Sequence, residues 1–404
     1  MSSESFPTFD AFNIAELRER ARARLPRGVF EYVDRGTEDE LALANNRAAY
    51  DRVKLVPRVL RDVSRIDQTT QLFGTPLSMP LAIGATGGAA LIWYDGDVAL
   101  ARAAKDAGIP FMISSASTTP IEQIAAVGGR QWFQLYPWEN RALSYALVDK
   151  AYALGCEALV VTVDTATQPN REYNFRNGFG IPLRFNRRNV VDVLTHPRWL
   201  WGVLLKHLMT TGLPRQANLP EELRTKVTQN PQIGAAFRCD TLSWEEIRLL
   251  RRSWRGIFMI KGIVSPLDAR QALEEGVDGL IVSNHGGRNL DSVVATLDAL
   301  PGVLDAVGDR IPVLIDSGIR RGSDVVKALA LGATAALVGR APLYGLAVGG
   351  QAGVTRALEL LRSEIARVMA FCGCRNIGEI TRELVHGAPR CEIPRVELAD
   401  AIGD

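Results

Sequence analysis

Gly279-Leu280-Ile281-Val282-Ser283-Asn284-His285-Gly286-Gly287-Arg288 decides the reading of the fold, because four apolar residues run without a break into a polar, glycine-rich segment. Apolar residues that do not alternate with polar ones mark a strand buried on both faces, as in a parallel sheet covered by helices. The same unit recurs on either side. Upstream, apolar runs stand at Pro80-Leu81-Ala82-Ile83, Pro110-Phe111-Met112-Ile113, Trp132-Phe133-Gln134-Leu135, Ala158-Leu159-Val160-Val161 and Gly256-Ile257-Phe258-Met259-Ile260. Downstream they stand at Ile311-Pro312-Val313-Leu314-Ile315 and Thr334-Ala335-Ala336-Leu337-Val338. Between most neighbours lies a helical stretch such as Gly96-Asp97-Val98-Ala99-Leu100-Ala101-Arg102-Ala103-Ala104. Eight β/α units around one core predict a TIM (β/α)8 barrel. A doubly wound sheet is the alternative, disfavoured because no G-x-G-x-x-G follows the first run.

The spacing breaks once. About 95 residues separate the starts of the fourth and fifth runs where about 25 is usual, which predicts an insertion after the fourth strand, bounded at 184–240. Residues 1–75 read as a helical extension, 76–354 as the barrel, and 355–404 as a closing helix, Thr355 to Met369, with a tail. All of this decorates a single domain of 404 residues. With 36 Gly and 20 Pro the chain is neither collagen-like nor disordered. A net charge of +2 offers no global electrostatic case for nucleic acid. The five cysteines, Cys156, Cys239, Cys372, Cys374 and Cys391, are an odd number and too sparse for a disulfide scaffold, so reduced thiols are expected. Cys372 and Cys374 form C-x-C without the second ligand pair of a structural zinc site, and no metal is expected. The N-terminal stretch lacks the basic and apolar regions of a secretory signal, which predicts a cytoplasmic location.

Barrels of this kind do their chemistry at the C-terminal ends of the strands. Here those ends are polar throughout: Thr86-Gly87, Ser114-Ser115, Gln134 and Tyr136, Thr162 and Asp164, Lys261, Ser283 to Arg288, Asp316 to Arg320, and Gly339-Arg340. Any one of them has a bland reading as a helix cap or a solvated charge; eight in one ring do not. The segments Asp316-Ser317-Gly318-Ile319-Arg320-Arg321-Gly322 and Gly339-Arg340 follow strands seven and eight, where the fold keeps its phosphate site. Glycines let backbone N–H groups approach phosphate oxygens, and arginines add charge-assisted bonds. A phosphorylated cofactor or substrate is expected, with Asp316 accepting from a sugar-type hydroxyl. Of four histidines, His196, His207, His285 and His386, only His285 stands at a strand end, which makes it the candidate base. Arg288, three residues on, offers a planar fork for a carboxylate. Asp164 is placed to pair with the imidazolium that forms.

The motif Ser283-Asn284-His285-Gly286-Gly287-Arg288-Asn289-Leu290-Asp291, the Asp316–Gly322 loop and Lys327-Ala328-Leu329-Ala330-Leu331-Gly332-Ala333 together resemble the FMN-dependent 2-hydroxy acid dehydrogenase and oxidase family. The likeness runs from Leu25-Pro26 through Gly373-Cys374-Arg375. It implies FMN as cofactor and oxidation of an (S)-2-hydroxy acid to the 2-oxo acid. By that resemblance His285 is the base, steadied by Asp164; Arg171 and Arg288 hold the carboxylate; and Tyr32 and Tyr136 line the substrate pocket, Tyr136 also among the catalytic residues. FMN contacts would come from Ile83 to Thr86, including Ala85, then Ser114, Gln134, Thr162, Lys261 and Ser283. Asp316, Ser317, Gly318, Arg320, Gly339 and Arg340 would surround its ribityl phosphate. Lys261 also counts among the catalytic residues, as a fixed positive charge near the flavin pyrimidine ring that favours the anionic reduced form.

Within the family the details resemble the quinone-linked, membrane-bound dehydrogenases of mandelate and lactate. Gly87 stands where many oxidases carry Ala, and Ser114-Ser115-Ala116-Ser117 lacks the Trp of glycolate oxidases, which leaves room for a bulky or aromatic acid. Ala85 replaces a common Pro, and Asp164-Thr165-Ala166-Thr167-Gln168-Pro169-Asn170 lacks the basic run of plant-type oxidases. L-lactate oxidation and an O2-using oxidase are the alternatives inside the family, and a homotetramer is its common assembly. Outside it, an FMN-barrel isomerase shares the phosphate loops, but the Arg288 and Arg171 pair argues for a small carboxylate. A non-catalytic flavin module is disfavoured by an intact His285 and Asp164.

The charge is unevenly spread. Residues 184–226 hold eight basic and three acidic residues, a net +5 that leaves −3 for the remainder. Within them Trp199-Leu200-Trp201-Gly202-Val203-Leu204-Leu205 continues to Leu208-Met209, apolar almost all round, from Pro197 to Gly212. A helix of about 14 residues is about 21 Å long, too short for a hydrocarbon core of about 30 Å. A Trp- and Leu-rich helix among arginines suits the membrane interface, so residues 190–215 are expected to attach the protein peripherally to the inner face of the cell membrane, near quinone. Subunit packing or a flap over the site is the competing reading.

Overall fold

In the computed structural model, which describes residues 11–179, 186–219 and 240–387, the eight runs are parallel strands of a closed barrel. They are β1 (Leu81–Ile83), β2 (Phe111–Ser114), β3 (Gln131–Leu135), β4 (Ala158–Thr162), β5 (Ile257–Ile263), β6 (Gly279–Val282), β7 (Val313–Ile315) and β8 (Ala335–Val338). Each pairs with its neighbours in sequence, and the register Ala336↔Leu81 closes β8 onto β1. The doubly wound alternative is therefore excluded.

Strand parity explains both the core and the site. Ala82, Met112, Trp132, Ala158, Val160, Met259, Ile281, Leu314, Ala335 and Leu337 form one buried cluster inside the barrel. Their sequence neighbours, such as Ile83, Phe133, Leu159, Ile260 and Val282, belong to the cluster shared with the surrounding helices. Because side chains alternate with a period of two, the next inward positions along the strands are Ser114, Gln134, Thr162, Lys261, Ser283 and Asp316. The apolar barrel interior thus ends in a polar layer. At the opposite end the hairpin Thr70–Leu72/Thr75–Leu77 adds Leu72 and Leu77 to the inner cluster and stops the barrel.

The N-terminal extension is helical at Ile14–Arg24, Arg27–Asp34 and Leu41–Arg52. Asn13 caps the first helix by accepting from the Glu16 N–H at 2.9 Å. The third is tied to the segment after β6 by a reciprocal amide pair, Asn46 with Asn284, at 2.9 and 2.8 Å. Two expectations need correction. Lys261 does not end β5, which runs on to Ile263 through a bulge at Gly262. The closing helix does not start at Thr355: a helical run begins at Arg340, directly after β8, and continues to Phe371 with a break at Gly349 and Gly350, so the boundary at 354/355 falls inside it.

The insertion contributes the helix Arg187–Leu194 and a helical run of three parts, Pro197–Trp199, a π-helical Leu200–Leu205 and Lys206–Thr210. It is not free all round. Trp199, Val203 and His207 recur every four residues and are buried, while Trp201, Leu208 and Met209 are exposed. Trp199 Nε1 donates to the Leu91 carbonyl at 2.8 Å, and His207 Nε2 lies 3.0 Å from that of Ala90. Arg184, Arg224 and Lys226 of the basic segment lie outside the described residues, as do Cys239 and Cys391. Cys156, Cys372 and Cys374 are buried thiols, and burial pushes Cys156 up to about 12. Among the described residues no cluster of metal-ligating side chains occurs, and no helix is long and apolar enough to cross a membrane.

Candidate active site

The polar layer is wired along the barrel. Ser114 Oγ donates to Gln134 Oε1 at 3.0 Å, and Gln134 Nε2 donates to Thr162 Oγ1 at 2.9 Å. Lys261 Nζ donates to Ser283 Oγ at 2.6 Å and pairs with Asp316 at 3.0 Å. Burial alone would lower the ammonium pKa, but the Asp316 and Asp164 carboxylates outweigh it and raise it. Lys261 is therefore a cation in the barrel mouth.

Above this layer sits His285. It follows β6 in left-handed backbone, φ 58°, and the next two residues, Gly286 and Gly287, share that region. Gly287 has to be glycine, since a Cβ there would lie 2.6 Å from the Leu43 nitrogen. Such a turn holds the imidazole against the barrel mouth instead of letting it run out to solvent. Its Nδ1 lies 2.8 Å from Asp164 Oδ1, and its Nε2 lies 3.2 Å from Tyr136 Oη. A proton on Nδ1, shared with the carboxylate, leaves Nε2 as the basic nitrogen. Burial pulls the His285 pKa below its ordinary value against the opposing pull of Asp164. Burial works to raise Asp164, but His285, Lys261 and the hydrogen bonds to His285 and Thr165 hold it below the usual carboxylate range. Burial raises the Tyr136 phenol, which is therefore protonated.

Two guanidinium groups face the same cleft. Arg171 Nε donates to the Arg288 carbonyl at 3.2 Å, and Arg288 donates to the carbonyls of Tyr32 at 2.7 Å and Arg35 at 3.1 Å. The Arg288 guanidinium lies 5.2 Å from the centroid of the Tyr32 ring. Neither arginine has a carboxylate partner among the described residues. Burial, reinforced by the charge of Arg288, pushes Arg171 down to about 10. A pair of like charges held together this way is stabilised by an anion between them.

The cleft continues past Lys261 to Asp316, Ser317, Gly318 and Arg320, and to Gly339 and Arg340. Gly84, Ala85 and Thr86 form another wall with Ser114, Gln134 and Thr162. Ile83 and Ser283, named with them above, do not line the open cleft; Ser283 meets it through Lys261. Asp316 is already engaged by Lys261 and by Ser317 Oγ at 2.7 Å. Arg340 is buried and gives its donors to the carbonyls of Val33 at 2.9 Å, Gly286 at 2.8 Å and Arg35 at 3.0 Å, so it also locks the N-terminal extension onto the site. The group expected here is a flavin nucleotide, and the residues fit one. Thr86 Oγ1 is buried without a hydrogen-bond partner, while amide, hydroxyl and ammonium groups line one end and arginines with glycines the other.

Sequence reasoning missed two contributors. Asn289 Nδ2 donates to the Asp164 carbonyl at 2.8 Å and to Thr165 Oγ1 at 3.0 Å, fixing the carboxylate strand end. Gly262, with φ 113°, lets Asp164 approach: a Cβ there would lie 2.7 Å from that of Asp164. Asn289 stood inside the quoted motif; Gly262 carried no signal beyond an isolated strand glycine.

Residues 21–387 match the FMN-dependent dehydrogenase family, and the chain belongs to it. It is similar to (S)-mandelate dehydrogenase of Pseudomonas putida, 40% identical over 92% of both chains. It is equally similar to an L-lactate dehydrogenase of Ectopseudomonas mendocina, 40% identical over 92% of this chain and 97% of that one. A peroxisomal (S)-2-hydroxy-acid oxidase of Oryza sativa subsp. japonica is 41% identical over 92% and 95%. Among solved structures, that of the monotopic membrane protein (S)-mandelate dehydrogenase superposes with a TM-score of 0.89 at 39% identity, covering 94% of this chain and all of that one. The protein is an FMN-dependent 2-hydroxy acid dehydrogenase of the mandelate and lactate type.

Proposed function

We propose that the protein oxidises a bulky (S)-2-hydroxy acid such as mandelate, with His285 as the base, and passes the electrons to a quinone at a membrane surface. The observation that carries the site assignment is the placement of His285 between Asp164 and Tyr136, in one cleft with two guanidinium groups that lack carboxylate partners. The substrate carboxylate neutralises Arg171 and Arg288, which fixes the acid in one orientation. His285 Nε2 takes one proton from the substrate, and Asp164 balances the imidazolium charge that results. The protonated Tyr136 phenol donates to a substrate oxygen and keeps Nε2 facing the cleft. Asn289 and Gly262 act through Asp164 by holding its position. FMN, when bound, supplies the acceptor for the two electrons, and the Lys261 ammonium provides the positive charge that favours its reduced form.

The bulky-acid reading is supported by Gly87. A Cβ there would stand 3.7 Å from Tyr32 Oη and from the Ala116 carbonyl, so the missing methyl widens the substrate end of the cleft. Membrane attachment is supported by the exposed Trp201 and Met209 of the insertion and by the likeness to a monotopic membrane relative. Anaerobic titration with mandelate, lactate and glycolate tests the whole reading. Mandelate should bleach the flavin fastest, and His285→Gln should retain FMN while losing about 10²–10⁴-fold in reduction rate. Undiminished reduction in that variant would remove His285 from its role, and faster bleaching by lactate would assign the smaller acid.

A further inference from the structure

The insertion and the N-terminal extension meet at a second cavity, away from the flavin cleft. It has a volume of about 580 Å³ and is lined by Arg20 and Arg24 from the first helix and by His196, Pro197 and Arg198 at the start of the insertion helix. Three arginines enter it from two separate elements. None of them has a carboxylate partner among the described residues; Glu19, beside Arg20, is paired with Arg18 and Arg22. The carboxylate beside His196, Asp192, spends one oxygen on the Arg27 N–H at 2.6 Å. Arg24 is half-buried, its guanidinium stacked 4.8 Å from the Trp93 ring centroid, and burial followed by the nearby charge of Arg198 lowers its pKa. Asp192 lies 3.6 Å from His196 Nδ1, which leaves the three arginines without a carboxylate of their own among the described residues, and like charges gathered in this way mark a place where an anion is stabilising.

The surroundings say which anion. Leu194 directly precedes the cavity segment and is 63% exposed; Trp201 lies one turn beyond Arg198 and is 68% exposed. Leu208 and Met209 continue that outer stripe, and Val190 and Val191 add to it from the preceding helix. Exposed apolar side chains flanking a cationic cavity match a molecule with an anionic head and hydrocarbon tails. We propose that this cavity binds the phosphate-bearing headgroup of an anionic phospholipid, with its acyl chains lying along the Trp201 stripe. Arg24 from the first helix and Arg198 from the insertion hold the phosphate between two separate elements. The proposal rests on the membrane-interface reading and adds to it a defined lipid site, distinct from the diffuse attraction of exposed arginines such as Arg187 and Arg188.

Flotation of the FMN-loaded full chain with two kinds of vesicle tests it: phosphatidylcholine alone, and phosphatidylcholine mixed with phosphatidylglycerol. The wild type should favour the mixed vesicles by about tenfold or more. Losing the guanidinium groups of both elements that line the cavity, R24Q/R198Q should erase that preference while keeping its FMN content and flavin reduction in solution. The control R187Q/R188Q carries the same charge change outside the cavity and should retain most of the preference. An equal loss in both double variants would reduce the effect to diffuse charge and overturn the site. Equal binding of the wild type to both vesicles would also overturn the site but leave the interface reading standing, whereas no binding to either vesicle would overturn both. Tight binding of glycerol phosphate in calorimetry, without vesicle preference, would assign the cavity to a soluble anion instead. If R24Q/R198Q does not fold, R20Q/R198Q alters two exposed positions with the same expected direction.

Discussion

His285 shows how much one residue depends on what surrounds it. In isolation it is a histidine with a pKa of about 6.5. In the fold, burial lowers that value and Asp164 only partly restores it. With His285 as the proposed base, the reaction needs neutral Nε2, so the acid limb of kcat/KM for flavin reduction should fall below pH 6.5, and a profile measured from pH 4.5 to 8 should be flat through neutrality. Asp164→Asn removes the influence that raises the pKa and should move the limb further toward acid while lowering the plateau. A limb above pH 7 would contradict the burial argument. The same shift links to stability. Below pH 6.5 the unfolded chain binds a proton at this position that the folded chain resists, so stability should decline as pH falls from 6.5 toward the folded pKa.

At the level of elements, two glycines carry separate consequences. Gly87 lies after β1 at the substrate end of the cleft, and a methyl there makes ordinary contacts, so Gly87→Ala should fold normally. It should lower kcat/KM for mandelate relative to lactate by about 10–200-fold, the worth of one methylene-sized change in an apolar pocket. Comparing the two acids side by side separates lost space from lost catalysis. Gly262, in the bulge of β5, is the opposite case. Gly262→Ala forces a non-glycine residue to φ 113° and drives a Cβ into Asp164. It should cost about 1–3 kcal/mol in denaturant unfolding and slow flavin reduction with both acids alike. The polar ends of β2 to β7 were readable from the chain because a two-residue period turns order into direction. The bulge was not, since it depends on the approach of Asp164 from the neighbouring strand.

Across the whole molecule, the proposed reading puts the chemistry in the barrel mouth and the attachment surface on the insertion. The two should be separable. Trp201→Glu with Met209→Glu places charges on the outer face of the insertion helix, leaving the buried Trp199, Val203 and His207 untouched. That variant should move from the vesicle-bound to the soluble fraction in sedimentation, with flavin reduction by mandelate unchanged. Continued attachment would place the membrane contact elsewhere.

The apolar runs, their spacing and the polar residues after them determined the barrel and the polar ring at its mouth that forms most of the candidate site, because both follow from local periodicity along the chain. Which groups meet was decided by tertiary structure alone. Tyr32 reaches the site through an Arg288 that lies 256 residues away, and Asp164 meets His285 across 121 residues. No local pattern encodes such distances; they close only when the barrel closes. The closing helix likewise read as starting at Thr355, because its first turns from Arg340 are buried and show no amphipathic period. The insertion helix read as apolar on every side, and packing then set its faces apart, fixing Trp199 and His207 on carbonyls beneath it and leaving Trp201 outward.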